Sequence, residues 1–174
     1  MFSAESFYEA KVFLKAYKDS IDCIQYPIET HGFKLSFLFY RQGTEHRASL
    51  ERYQHRVKIV GDAFSVDLGN TYDVVLIPNF LHHFKVADCT RFLKRIHAAL
   101  RPGGRVVIVE FVPNNDRITP PAAASFSLIM LGTTPEGDAY TLAEYSEILK
   151  NAGFHGIELH ALPPTAESAI LASA

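Results

Sequence analysis

The sequence predicts an α/β fold in which a mostly parallel, doubly wound sheet ends in an antiparallel pair of strands. Two nearly continuous apolar runs, YDVVLIPN (72–79) and RVVIVEFV (105–112), flank a single helical pattern. Strands that are buried between helix layers have this composition. The last two strands, HGIELHAL (155–162) and SAILAS (168–173), lie only a few residues apart. A crossover helix cannot fit there, so they must pair antiparallel, which completes a Rossmann-like arrangement.

Helix start and stop signals support this order of elements. The segment near 88–100 places apolar residues at helical spacing, and Pro102, Gly103 and Gly104 end it. Residues 113–131 begin with turn chemistry and continue as an apolar helical stretch. Thr141 and Glu144 have the spacing of a capping box for a further helix, which Gly153 ends.

The first third of the chain gives weaker patterns. An apolar stripe predicts a helix over 5–21, and FKLSFLFY (33–40) predicts a strand. The polar stretch 44–56 is read as a helix, and RVKIVGDAF (56–64) as a short strand that ends at Gly61.

Composition and charge exclude several classes of function. The 174 residues carry a net charge of -2 without a Lys/Arg cluster, so we expect no nucleic-acid partner. The apolar runs are shorter than the ~20 residues of a membrane span. Glu5 and Glu9 stand where a signal peptide would be basic and then apolar. Cys23 and Cys89 are too few for a disulfide or zinc framework, so we expect a cytoplasmic domain.

Polar and aromatic residues follow the carboxyl ends of three successive predicted strands. Ligands of open parallel sheets bind at these ends, so the residues could line one crevice. They are Asp62, Ala63 and Phe64 after the first strand, Asn79 and His82 after the second, and Glu110 at the end of the third.

These residue types suit one kind of chemistry. Asp62 could accept a hydrogen bond from an adenine amino group, while Phe64 packs against the adenine ring. His82 is a candidate general base. Glu110, a carboxylate in an apolar run, needs a partner, and it could hold that imidazole in one tautomer.

Plainer interpretations remain open for each residue. Asp62 could simply start a turn, Phe64 could belong to the core, and His82 could be a hydrogen-bonded structural histidine. A metal site is not expected, because the adjacent side chains of His82 and His83 diverge and no third ligand stands at a familiar spacing.

The order GDAF, YDVVLIPNFLHHF, LRPGGRVVIVEF and GDAYTLAEYSEILKNAGF resembles the class I S-adenosylmethionine-dependent methyltransferases. It is most similar to the C-terminal catalytic domain of the small-molecule O-methyltransferases that include the caffeate and hydroxyneurosporene enzymes. The match runs from about residue 45 to the C-terminus. We therefore divide the chain into a divergent helix-plus-strand segment, 1–44, and a catalytic-domain portion, 45–174.

The resemblance implies a seven-stranded sheet and S-adenosyl-L-methionine as cofactor, with Asp62, Ala63, Phe64 and Asn79 among the residues that bind it. It implies that His82 deprotonates a hydroxyl of a small molecule, with aromatic acceptors among the candidates. Glu110 would then orient His82. The apolar segment 125–131 would line the acceptor pocket.

The sequence also departs from the family pattern. The acidic-Gly-x-Gly-x-Gly loop that binds the cofactor is absent, since only Gly32 and Gly43 precede Gly61. This leaves a second hypothesis, an incomplete and catalytically inactive methyltransferase remnant that acts as a subunit or binding partner. A nucleotide-linked oxidoreductase needs Gly-x-Gly-x-x-Gly, which is absent. A sheet that lost strands would expose an edge, so the chain could form a homodimer.

Overall fold

A five-stranded sheet organises the part of the chain that the computed structural model describes, residues 38–40, 62–69 and 72–174. The expected helices over 5–21 and 44–56, and the strand residues 33–37 and 56–61, lie outside these residues. The described elements are β1 (Leu38–Tyr40), β2 (Tyr72–Pro78), a short 3-10 helix (Leu81–His83), α1 (Val86–Ala99), β3 (Leu100–Glu110), α2 (Pro121–Thr133), α3 (Leu142–Asn151), β4 (His155–Ala161) and β5 (Ser168–Ser173).

The strand order is β1-β2-β3-β5-β4. β2 and β3 pair in parallel, with Val75 opposite Val106 and Ile77 opposite Ile108. The antiparallel pairing of β4 with β5 confirms the expected C-terminal strand pair. β5 also runs antiparallel to β3, and β1 runs antiparallel to β2. Only one of the four described pairings is therefore parallel, and the described part of the strand expected over 33–40 runs antiparallel to its neighbour.

The helix between β2 and β3 forms where the apolar spacing predicts it. α1 buries Cys89, Phe92, Leu93, Ile96 and Ala99, one stripe of a 3.6-residue repeat. It ends at Ala99, and the chain turns through Gly103, whose φ is +75°. A Cβ at Gly104 would lie 2.9 Å from the Arg101 carbonyl oxygen and 3.2 Å from that of Asp73. Glycine therefore lets the first part of β3 pass close to these two carbonyl groups.

Two apolar clusters lie on opposite faces of the sheet. The larger joins Val75, Ile77, Val106 and Ile108 to the buried faces of α1 and α3, so these two helices share one face. The smaller contains Leu76, Val107, Val109, Ala169 and Leu171, with Val74 and Leu162 packed against it. None of the described helices is both long enough and apolar enough to cross a bilayer.

α3 begins with the predicted capping box. The Thr141 side chain accepts from the Glu144 backbone N–H, and the Glu144 carboxylate accepts from the Thr141 N–H at 2.8 Å. Gly153, with φ of +102°, follows the last turn. The capping box therefore fixes where this helix begins.

Candidate active site

The chain makes a sharp turn as it leaves β2. Asn79 adopts a left-handed conformation with φ of +49°, and its N–H donates to the Val109 carbonyl oxygen of β3 at 2.8 Å. The next residues wind into the 3-10 helix Leu81–His83. Since β2 and β3 are parallel, this places the 3-10 helix beside the carboxyl end of β3, where Glu110 stands.

His82 and Glu110 form a buried pair. The imidazole Nδ1 lies 2.5 Å from Glu110 Oε2, and the two residues are only 4% and 0% exposed. The other carboxylate oxygen, Oε1, accepts from the backbone N–H groups of Phe80 and Leu81, each at 2.9 Å. The buried carboxylate thus accepts three hydrogen bonds, which offsets the cost of removing it from water.

This geometry determines which imidazole nitrogen can act as a base. A carboxylate accepts, so Nδ1 must carry the proton that it donates to Glu110. In the neutral ring Nε2 is then the acceptor. A histidine held in this way can take a proton from a hydroxyl, while the carboxylate stabilises the positive charge that develops on the ring.

Aromatic rings surround His82. The Phe126 ring meets it edge-on, with the centroids 4.8 Å apart, and stacks on Phe111 at 4.2 Å. Phe126 lies on α2, so the predicted segment 125–131 does reach His82 with one side chain. Three other apolar residues of that segment, Leu128, Ile129 and Leu131, are exposed.

His83 is the immediate neighbour, with its ring centroid 4.2 Å from that of His82. Burial, and secondarily the charge of His82, lower the pKa of His83 to about 4. His83 is therefore neutral at physiological pH, and does not add a positive charge beside His82.

The backbone of residues 81–84 is held by groups that the sequence did not single out. Cys89 Sγ donates to the Leu81 carbonyl oxygen at 3.2 Å, and the Tyr140 hydroxyl donates to that of Phe84 at 2.6 Å. Burial raises the pKa of both groups, so both remain protonated donors. Sequence patterns could not reveal these contacts, because they join side chains to backbone atoms across distant segments.

Gly137 also fixes this backbone. A Cβ at residue 137 would overlap the His82 carbonyl oxygen and crowd the carbonyl carbon of His83, so only glycine allows the two segments to pack so closely. Beside it, Glu136 accepts from Lys85 Nζ at 2.9 Å. In the sequence, only the dipeptide Gly-Asp at 137–138 could have indicated this close approach.

Asp62, Ala63 and Phe64 form a turn beside this segment. Asp62 Oδ1 accepts from the Phe64 N–H at 3.0 Å, as expected of a residue that starts a turn. Ala63 is buried, and the Arg95 guanidinium on α1 donates to its carbonyl oxygen.

The Phe64 ring brings the turn to the histidine-bearing segment. It lies edge-on to Phe84 at 5.0 Å, and Arg91 stands 5.0 Å from its centroid. Phe64 therefore packs in the aromatic cluster that includes Phe80, 6.3 Å away, while remaining half-buried.

Asn79 points away from this turn. Its Nδ2 donates to Glu167 Oε1 at 2.7 Å, just before β5. Its Oδ1 is buried and has no hydrogen-bond partner among the described residues. In the same residues, no three His, Cys, Asp or Glu side chains come together as a metal site would require.

A family model described as an O-methyltransferase domain matches residues 29–155. The match starts before the boundary at residue 44 that the sequence suggested, and that boundary remains a prediction. Among curated proteins, the chain is 35% identical over 118 residues to the tetracenomycin polyketide synthesis 8-O-methyl transferase TcmO of Streptomyces glaucescens. The matched region covers 68% of this chain and 34% of that protein.

Solved structures give the same result. A Nostoc punctiforme protein described as a candidate O-methyltransferase superposes with a TM-score of 0.65 at 57% identity, covering 67% of this chain and 36% of that one. Human N-acetylserotonin methyltransferase in complex with SAM gives a TM-score of 0.61 at 28% identity, covering 70% and 36%. The chain spans about a third of the length of these relatives.

We expect Glu110→Gln to reverse the tautomer of His82. The amide oxygen must accept from Phe80 and Leu81, so the amide NH2 faces Nδ1, which must then accept and leave the proton on Nε2. Nitrogen-15 NMR of the imidazole distinguishes the two forms. Glu158→Gln, in the half-buried Glu158–His160 pair, is the matched control. A variant that keeps its proton on Nδ1 would contradict this account.

We expect His83 to make folding stability depend on pH. Its pKa of about 4 lies below the roughly 6.5 of an unfolded histidine. The unfolded state therefore binds more protons between these values, so stability is complete above about pH 6.5 and falls as the pH drops toward 4. Denaturant unfolding across this range should show a shallower fall for His83→Gln. Identical slopes in the two proteins would rule out this contribution.

Proposed function

We propose, on the premise that the chain belongs to the O-methyltransferase domain family, that it transfers a methyl group from S-adenosyl-L-methionine to a hydroxyl of a small molecule. The buried His82–Glu110 pair at the carboxyl ends of two parallel strands carries this proposal. A hydroxyl is a weak nucleophile, and this pair supplies a base whose orientation is already fixed.

His82 has the role of general base in this proposal. Nε2 takes the hydroxyl proton as the oxygen attacks, while Nδ1 keeps its proton on Glu110. The three hydrogen bonds to Glu110 hold the carboxylate, and the carboxylate holds the imidazole. The catalytic contribution of the chain is then a proton acceptor in a constant position, with the reacting atoms held in line beside it.

The residues near the strand ends partly fit the cofactor, which when bound supplies an activated methyl group on a sulfonium. Asp62 is exposed and retains capacity to accept hydrogen bonds, although Ser65 and Phe64 already contact it. The half-buried Phe64 and buried Ala63 could border an adenine. Asn79 Oδ1, a buried acceptor, suits a hydroxyl or ammonium donor.

The acceptor that we propose is a small hydroxylated aromatic molecule. The Phe126 ring beside His82, and the Phe111 ring stacked on it, offer flat apolar surface to such a ring. Relatives are named for tetracenomycin polyketide, acetylserotonin and caffeic acid methylation, and one related structure holds apigenin. Pairing with a second copy through an exposed sheet edge also remains a prediction.

A catalytically inactive remnant is the second candidate. The absence of the acidic-Gly-x-Gly-x-Gly loop from the sequence favours it, because glycines in that loop let the backbone approach the cofactor. The intact pair of His82 and Glu110 favours the enzyme, since a chain that acts only by binding does not need a buried base.

Cofactor binding separates the two candidates. We expect calorimetric titration of the purified chain with S-adenosylhomocysteine to give a saturable heat, because the strand-end residues retain acceptors and aromatic surface. Asp62→Ala should weaken this binding, and Asp67→Ala, another exposed turn acid, should not. Absence of heat at high micromolar ligand would favour the inactive candidate.

In an active chain, we expect His82→Gln to lower turnover about 10²–10⁴-fold and leave cofactor affinity nearly unchanged, because only the proton acceptor is lost. Methyl transfer from labelled cofactor measures the rate, and calorimetry measures the affinity. His160→Gln removes the histidine of the half-buried pair on β4 and serves as the control. Turnover equal to that of the unmodified chain would refute the assignment of His82.

A further inference from the structure

We propose that Arg117 is a positioning residue that braces the two segments carrying His82 and Glu110. The inference rests on the proposed function, in which these two side chains act together. Arg117 belongs to the loop 113–119 that leaves β3 soon after Glu110. It contacts neither side chain, so any effect on them must pass through the residues it binds.

The loop itself is tightly hydrogen-bonded. Asp116 Oδ1 accepts from the N–H groups of Ile118 and Thr119 at 2.8 and 2.9 Å, and its Oδ2 accepts from the Thr119 hydroxyl at 2.6 Å. Asn114 bonds Thr119 through both backbone and side chain. Within it, Arg117 has φ of +54°, which is unfavourable for a residue with a Cβ and is maintained only where the surroundings enforce it.

The guanidinium joins this loop to the segment before α3. Nη1 lies 2.9 Å from Asp138 Oδ2, and Nη2 lies 2.5 Å from Glu144 Oε1. Glu144 also closes the capping box with Thr141. Arg117 therefore fixes both ends of residues 138–144 to the exit of β3.

The segment that Arg117 fixes packs against the backbone of His82 and the two residues after it. Gly137, next to Asp138, leaves no room for a Cβ against the His82 carbonyl oxygen. Tyr140, two residues beyond Asp138, donates to the Phe84 carbonyl oxygen. A displacement of Asp138 would therefore be transmitted directly to the backbone that carries the imidazole.

The loop that contains Arg117 is also connected to Glu110, through the end of β3. Phe111 follows Glu110 directly and stacks on Phe126, which touches the His82 ring. The loop anchored by Arg117 thus continues from the strand end that presents the carboxylate. Exposed ion pairs contribute little to global stability, so the contribution we assign to Arg117 is the relative position of the two segments.

Arg117→Ala tests this directly. The readout is solvent exchange of the His82 Nδ1–H proton, followed by NMR, which needs neither cofactor nor acceptor. Without the Arg117 ion pairs, the His82–Glu110 hydrogen bond should open more often. We therefore expect the His82 Nδ1–H proton to exchange about 10-fold faster. Arg117→Lys, which keeps the charge but not the forked geometry, should give a smaller increase.

Arg101→Ala is the matched control. The Arg101 side chain is 42% exposed and makes one ion pair with Asp73 at 3.0 Å, while the Arg117 side chain is 41% exposed. Arg101 lies at the start of β3, away from the strand ends that carry the site. Its loss should change the melting temperature about as much as that of Arg117 and leave the exchange of the His82 proton unchanged.

An unchanged exchange rate in Arg117→Ala, or an equal increase in both alanine variants, would overturn the proposal. If Arg117→Ala fails to fold, Asp138→Asn removes one of the two ion pairs and should increase exchange in the same direction; no increase there also overturns it. Where turnover is measurable, kcat should fall in Arg117→Ala with little change in cofactor KM. Faster exchange in a chain without turnover would keep the brace and refute only the proposed function.

Discussion

A buried carboxylate determines the arrangement of the site. Glu110 is fully buried at the end of β3, and its two oxygens accept from the N–H groups of Phe80 and Leu81 and from the imidazole of His82. A charge in this position is tolerated because three donors are directed at it. One side chain therefore sets both the path of the chain after β2 and the orientation of the histidine.

Local patterns predicted much of the fold. The apolar spacing of α1, the capping box of α3 and the short link between β4 and β5 each depend on residues close together in sequence, and the structure confirms all three. The antiparallel pairing of β1 with β2 was not predicted. Alternation within a strand indicates which residues share a face, and does not indicate the direction of the strand or its partner.

The site was predictable only where the sequence carried an anomaly. A glutamate in an apolar run and a histidine after a strand led to Glu110 and His82. Asn79 could not be assigned in this way, because its side chain bonds Glu167, which lies far away in sequence just before β5. Gly137 and Arg117 act through close approach and ion pairing across the fold, which no spacing in the sequence reveals. The cofactor-binding roles of Asp62, Ala63, Phe64 and Asn79 remain predictions.

The support of His82 consists mainly of backbone atoms: the amides of Phe80 and Leu81, and the carbonyl groups of Leu81, His82 and Phe84. Every residue except proline carries the same main-chain N–H and carbonyl groups. The Phe126 ring, which meets the imidazole edge-on, takes no part in these main-chain hydrogen bonds. Evolution could therefore alter the choice of acceptor while inheriting the proton-accepting apparatus unaltered.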